Sequence, residues 1–161
     1  MDPALELSHH LWSLRQLLDR LIYRLEVQQL LLASGRTRFL ALAAVEVDEA
    51  SAAVAALEGH LRAAARAAVG TTGSDSPPPL AELVALLKEP HATAVAEHRA
   101  ALIVLGVEIE ELVRSNKELA KRLIQARDVL SQLSGPSAES YTPTGAPSNV
   151  HRSTHRLDQT A

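Results

Sequence analysis

The pattern between residues 95 and 133 constrains the fold of this chain more than any other. Val95, His98, Leu102, Leu105, Ile109, Leu112, Asn116, Leu119, Leu123, Ala126, Leu130 and Leu133 follow one another at alternating three- and four-residue steps. This spacing draws one narrow seam along a long helix, and such a seam must be buried against another helix, its own or a partner's. One amide, Asn116, interrupts the apolar run. A polar residue at a seam position costs stability and serves best to fix register or partner choice, so attention moves from catalysis to recognition.

Composition narrows what the seam can pack against. The chain has 161 residues and is 47% hydrophobic, yet its only aromatic residues are Trp12, Tyr23, Phe39 and Tyr141. A core of Leu, Ala and Val suits helix packing better than a sheet sandwich or barrel, so the predicted class is all-α. With a net charge of -3 and arginines dispersed along the helices, there is no basic stripe, and nucleic acid is not expected as a partner. No run reaches the roughly 18 uncharged apolar residues of a spanning helix, and the first residues, with Asp2 and Glu6, lack the basic region of a signal peptide. The expectation is a cytoplasmic protein with no stable membrane insertion. The absence of cysteine excludes disulfides and thiolate zinc sites and agrees with a reducing compartment.

Along the chain, Asp2 and Pro3 read as an N-cap with proline at the first helical position. They lead into a second seam of Leu7, Leu11, Leu14, Leu18, Leu21, Leu25 and Leu32, in which Gln28 holds the one polar place. Ser34 and Gly35 read as the stop. From about Thr37, Leu40, Ala44, Val47, Val54, Leu57, Leu61 and Ala68 predict a second helix, with alanine where large side chains are absent, implying close helix approach. The short link favours an antiparallel hairpin over 3–69, each helix roughly 30 residues and so about 45 Å long. Residues 70–79, from Gly70 to Pro79, read as a loop, 80–88 as a short amphipathic helix, and 90–134 as the long last helix with Pro90 at its first position. The predicted architecture is an antiparallel bundle of three long helices and one short helix over 1–134, followed by a flexible tail over 135–161 that is too poor in large aliphatic residues to order itself.

Both outer helices carry apolar residues off their seams: Leu17, Ile22, Leu30 and Leu31 in the first, and Ile103, Val104, Val107, Val113, Ile124 and Val129 in the last. A wider buried face, as in a three-helix bundle, accounts for them, and so does a docking groove for an amphipathic helix. Candidate chemistry is thin. Glu6 and His9 make one Glu-x-x-His pair of the kind used in di-iron bundles, but no second pair exists, and Glu58 and His60 do not share a helical face. His98 on the seam could add pH sensitivity. No phosphate loop or nucleophile elbow is present. No catalytic residue, metal site or cofactor is expected.

Asn116-Lys117-Glu118-Leu119-Ala120-Lys121-Arg122-Leu123-Ile124, the helix end at Leu130 and Leu133, and then Ser140-Tyr141-Thr142-Pro143-Thr144-Gly145 resemble the flagellar export chaperone family FlgN. In that family a long helix bearing Asn ahead of leucines leads to a Tyr-Gly-x-x-Gly element and a polar C-terminus, and a Leu-rich first helix ends in a small residue and glycine. Tyr141 and Gly145 match, whereas Thr142 replaces the first glycine, and Val113 or Leu119 stands where a second Asn would be. The resemblance implies a non-enzymatic cytosolic chaperone of flagellar type III secretion. Its clients would be the hook-associated proteins FlgK and FlgL, bound through their C-terminal helices, with export gate or export ATPase components as further partners. It places the client on the face bearing Asn116, Leu119, Leu123, Ile124, Leu130 and Leu133, with Tyr141 closing the end. Two other classes stay open: a coiled-coil scaffold acting by self-association, and a metal-dependent bundle enzyme using Glu6 and His9.

Overall fold

A computed structural model describes residues 2–70 and 78–134. The predicted tail over 135–161 and most of the predicted loop lie outside the described residues. Four α-helices follow in order: α1 (Pro3–Ala33), α2 (Leu40–Val69), α3 (Leu80–Leu86) and α4 (His91–Ser134), with a single 3-10 turn, Thr37–Phe39, between α1 and α2. No strand occurs among the described residues. The protein is all-α, as composition predicts. It groups into two compact units, Met1–Ala126 and Arg127–Ala161, and the packing described here belongs to the first.

Helix ends follow from local chemistry. Asp2 caps α1 by accepting from the Ala4 N–H at 3.0 Å, and Pro3 takes the first turn, where its missing donor costs nothing. At the other end the Arg36 N–H donates to Leu31 O at 3.1 Å and the Gly35 N–H to Leu32 O at 3.2 Å. This double closure requires a left-handed residue, and Gly35, at φ 66°, supplies it without a Cβ clash. Two sequence expectations shift here. Pro90 stands just ahead of α4, accepting from the Ala94 N–H at 3.3 Å, and α3 stops at Leu86 because Leu87 turns extended. That turn still brings the Leu87 side chain against the core.

The hairpin packs α2 antiparallel on α1. One cluster joins Leu7 and Leu11 of α1 to Ala64 and Ala65 of α2, Leu83 of α3 and Val95 of α4; a second joins Leu21 and Leu25 to Ala50, with Ile109 and Leu112 of α4 packed against it. Early residues of α1 thus meet late residues of α2, and early residues of α4. The order is up, down, up, so α4 runs parallel to α1. All four buried residues of α2 are alanines: Ala43, Ala50, Ala64 and Ala65. Small side chains let α1 approach closely, and the large residues that fill the core come from its neighbours. Leu7, Leu11, Leu83 and Val95 are fully buried, each contributing roughly 1.5–3 kcal/mol relative to exposure.

Candidate client-binding surface on the last helix

The seam of α4 changes character along its length. Val95 is inaccessible to solvent, and His98, Leu102, Leu105, Ile109 and Leu112 are half-buried against the hairpin. Asn116 follows, and it is 5% exposed, the most deeply buried polar residue described. Its Nδ2 donates to the backbone carbonyl of Leu25 at 2.9 Å and to Oε1 of Gln28 at 3.1 Å. Beside it, Nε2 of Gln29 donates to Oγ of Ser115 at 2.8 Å. The single polar place of the first seam therefore meets the single amide of the last. The two polar residues were each legible in the sequence, but their pairing was not, since it depends on how far α4 slides along α1. Gln29 and Ser115 escaped sequence reading because neither lies on a seam.

This layer fixes the register of two parallel helices. The bonded pairs are separated by 86, 88 and 91 residues, and one heptad of slip would strand the Asn116 amide against leucine, at the cost of an unsatisfied buried donor. The Oδ1 of Asn116 has no partner among the described residues, so the layer specifies register more than it adds stability.

Past Asn116 the cover thins. Leu119 and Leu123 are half-buried, and α1 ends level with them, given a separation near 90 and a last helical residue at Ala33. Glu111, Arg114, Ser115, Glu118, Leu119 and Arg122 line an open depression of about 280 Å³, with Leu119 the one aliphatic residue among them. Its rim is crosslinked within the helix, Glu118 lying 3.5 Å from Arg122 and 4.0 Å from Lys121. Ala126 is exposed, as is Ile124 at 60%. In the second unit, every residue of Arg127–Ser134 is exposed, with Leu130 at 64% and Leu133 at 79%. Tyr141, the last of the expected client contacts, lies outside the described residues. The wider buried face holds for α1, where Ile22 is buried and only Leu30 of the four off-seam residues is exposed, but fails for α4. There Ile103, Val104, Val107, Val113, Ile124 and Val129 are all 49–65% exposed.

Other candidate residues assemble differently. Glu6 pairs with His10, one turn away at 3.9 Å, rather than with His9, whose ring stacks on Trp12. His10 in turn faces His60 of α2 with centroids 6.0 Å apart. No group of three His, Asp or Glu side chains suited to a metal ion forms among the described residues. His91 joins the N-terminal ends of α4 and α1 through Asp2 at 3.0 Å. At His98, burial first, then the Arg15 guanidinium, lower the imidazole pKa below its usual 6.5, against a smaller rise from Glu97.

A long helix whose heptad seam is buried at one end and bare at the other is the arrangement expected of a helix-binding module. The model of the FlgN protein family matches residues 1–149. The chain belongs to the FlgN family. Membership carries that family's general role, a flagellar export chaperone, and FlgN is a chaperone family rather than an enzyme family. Comparison with curated proteins and with solved structures returns no match. No helix among the described residues is long and apolar enough to cross a membrane.

Proposed function

We propose that this protein binds the C-terminal helical segments of the hook-associated proteins FlgK and FlgL in the cytoplasm and keeps them soluble until export. One observation carries the reading: the leucine seam of α4 keeps its three- and four-residue spacing from the fully buried Val95 to Leu133, 79% exposed. A bare heptad seam is half of a helix pair. The client helix supplies the other half, lying on Leu119, Leu123, Ile124, Leu130 and Leu133, with Tyr141 closing the end. Asn116, held against α1 by the Leu25 carbonyl and Gln28, marks where this face begins. Affinity from so few leucines is modest, which suits a complex that must be dismantled at the export gate or export ATPase.

The test uses the exposed leucines, because charges at buried positions would unfold the bundle. Binding of client C-terminal peptides is measured by calorimetry for the wild type and for Leu130→Asp with Leu133→Asp. The expected result is loss of about tenfold or more in affinity, as for anchor residues of a helix groove, with unchanged helicity. If the wild type retains neither client, the reading fails.

A further inference from the structure

A second apolar surface lies on the opposite side of α4 from its seam, and carboxylates surround it. Ala100 is exposed, and Ile103, Val104 and Val107 are 51%, 65% and 60% exposed. They follow one another at helical steps, so they form one continuous stripe. The stripe takes no part in the seam and includes none of the residues proposed for the client. On a helix that advances about 100° per residue, Glu97 and Glu108 fall along one edge of it and Glu110 along the other, while Glu111 continues its line one turn past Val107. All four glutamates are exposed, and none makes an ion pair among the described residues.

The charges select what can cover this face. Arg99, on the same edge as Glu110, and Arg114, the next turn after Glu111, are the nearest arginines or lysines along α4. Carboxylates thus outnumber guanidinium groups by four to two, and Glu108, Glu110 and Glu111 crowd into the one turn around Val107. A second copy of α4 laid antiparallel would set Glu97 against Glu111, so like charges disfavour self-pairing and the rim calls for a cationic occupant. That occupant must also cover aliphatic side chains over two turns. A helix does both: apolar residues at three- and four-residue steps lie on Ile103, Val104 and Val107, Ala100 allows close approach, and flanking Lys or Arg side chains extend their apolar stems toward the glutamates.

We infer that the outer face of α4 is a docking surface for a basic amphipathic helix of a partner protein, held by apolar contact along Ala100, Ile103, Val104 and Val107 and aligned by Glu97, Glu108, Glu110 and Glu111. The exposed rim charges act chiefly on encounter and partner choice, and salt screens them. A strip of two turns is smaller than the roughly 800 Å² per partner of a stable complex, so the contact is weak and reversible.

Calorimetry on the full chain without client tests this, with two synthetic amphipathic helices of about four turns as probes, one with leucine and lysine faces and the other with glutamate in place of every lysine. The lysine peptide is expected to bind and the glutamate peptide is not. Glu108→Lys with Glu111→Lys should weaken the lysine peptide about tenfold or more, and so should Val104→Ser with Val107→Ser, while Leu130→Asp with Leu133→Asp leaves it unchanged. No binding of the lysine peptide, equal binding of the two peptides, or indifference to the glutamate reversals would overturn the inference. Loss on the Leu130 and Leu133 changes would overturn it too, by placing the peptide on the seam. Sedimentation velocity on the chain alone supplies the last check: a dimer abolished by Val104→Ser with Val107→Ser would assign the face to a second copy instead. All the substituted positions are exposed, so the variants are expected to retain the wild-type circular dichroism spectrum. Because no client is present, the outcome is independent of the client-binding reading.

Discussion

The two ends of the bundle are held by different chemistry. Near the start of α1 and α4, four side chains from three helices, Leu7, Leu11, Leu83 and Val95, are fully buried with alanine ridges between them. Near the end of α1, the contact with α4 runs through Asn116, Gln28, Gln29 and Ser115, with only half-buried leucines beyond. The first end is close-packed and draws its stability from apolar burial. The second gains less energy but permits only one register. The proposed client-binding role draws on both: a frame that does not open, and an apolar edge left uncovered.

Measurements can break this contrast. The largest effect is expected at the packed end, where Leu11→Ala costs about 2–5 kcal/mol in urea unfolding because the site is fully buried and flanked by small residues that cannot collapse into the cavity. At the other end Leu123→Ala should cost less than half as much. Equal costs would erase the distinction. Next in size, Asn116→Ala removes both hydrogen bonds and should cost about 1–2 kcal/mol. Asn116→Leu should leave stability near wild type, since it also removes the unpartnered Oδ1, but broaden the amide NMR signals of α4 through loss of a unique register. A sharp spectrum from that variant would mean that leucine packing alone sets the register.

Smaller still is a pH effect at His98. Its folded-state pKa lies below the unfolded 6.5, so the unfolded chain binds the proton more readily. Stability is therefore fully present above pH 6.5, declines as pH falls from there toward the folded-state value, and levels off below it. His98→Leu should remove that portion of the pH dependence; an unchanged slope would place the titration elsewhere. The smallest effect on stability is expected at Leu133→Asp. At 79% exposure the change should stay within about 0.5 kcal/mol, which separates this residue from the core if client affinity falls.

Legibility in the sequence tracked how local the cause was. The ends of α1 could be read because Asp2, Pro3 and Gly35 act on backbone groups within a few residues. The seams could be read because helical periodicity is a property of one segment. The off-seam residues of α4 misled, since Val104 inside a core and Val104 on a surface have the same spacing, and exposure depends on how many helices surround α4. Glu6 misled for a related reason: His9 and His10 both lie one turn away, and side-chain rotamers chose His10.

By itself the sequence determined that this chain is helical, where its first helix starts and stops, that a leucine seam runs through the last helix with one amide in it, and which family it resembles. Tertiary structure alone decided that the Asn116 amide faces Gln28 and the Leu25 carbonyl, and that the outer stripe of α4 is bare. It also decided that cover on the seam gives out after Leu123. Periodicity names the face a helix must bury. The partner, and where along the helix it ends, are fixed only when two segments about 90 residues apart meet at a hydrogen-bonded register.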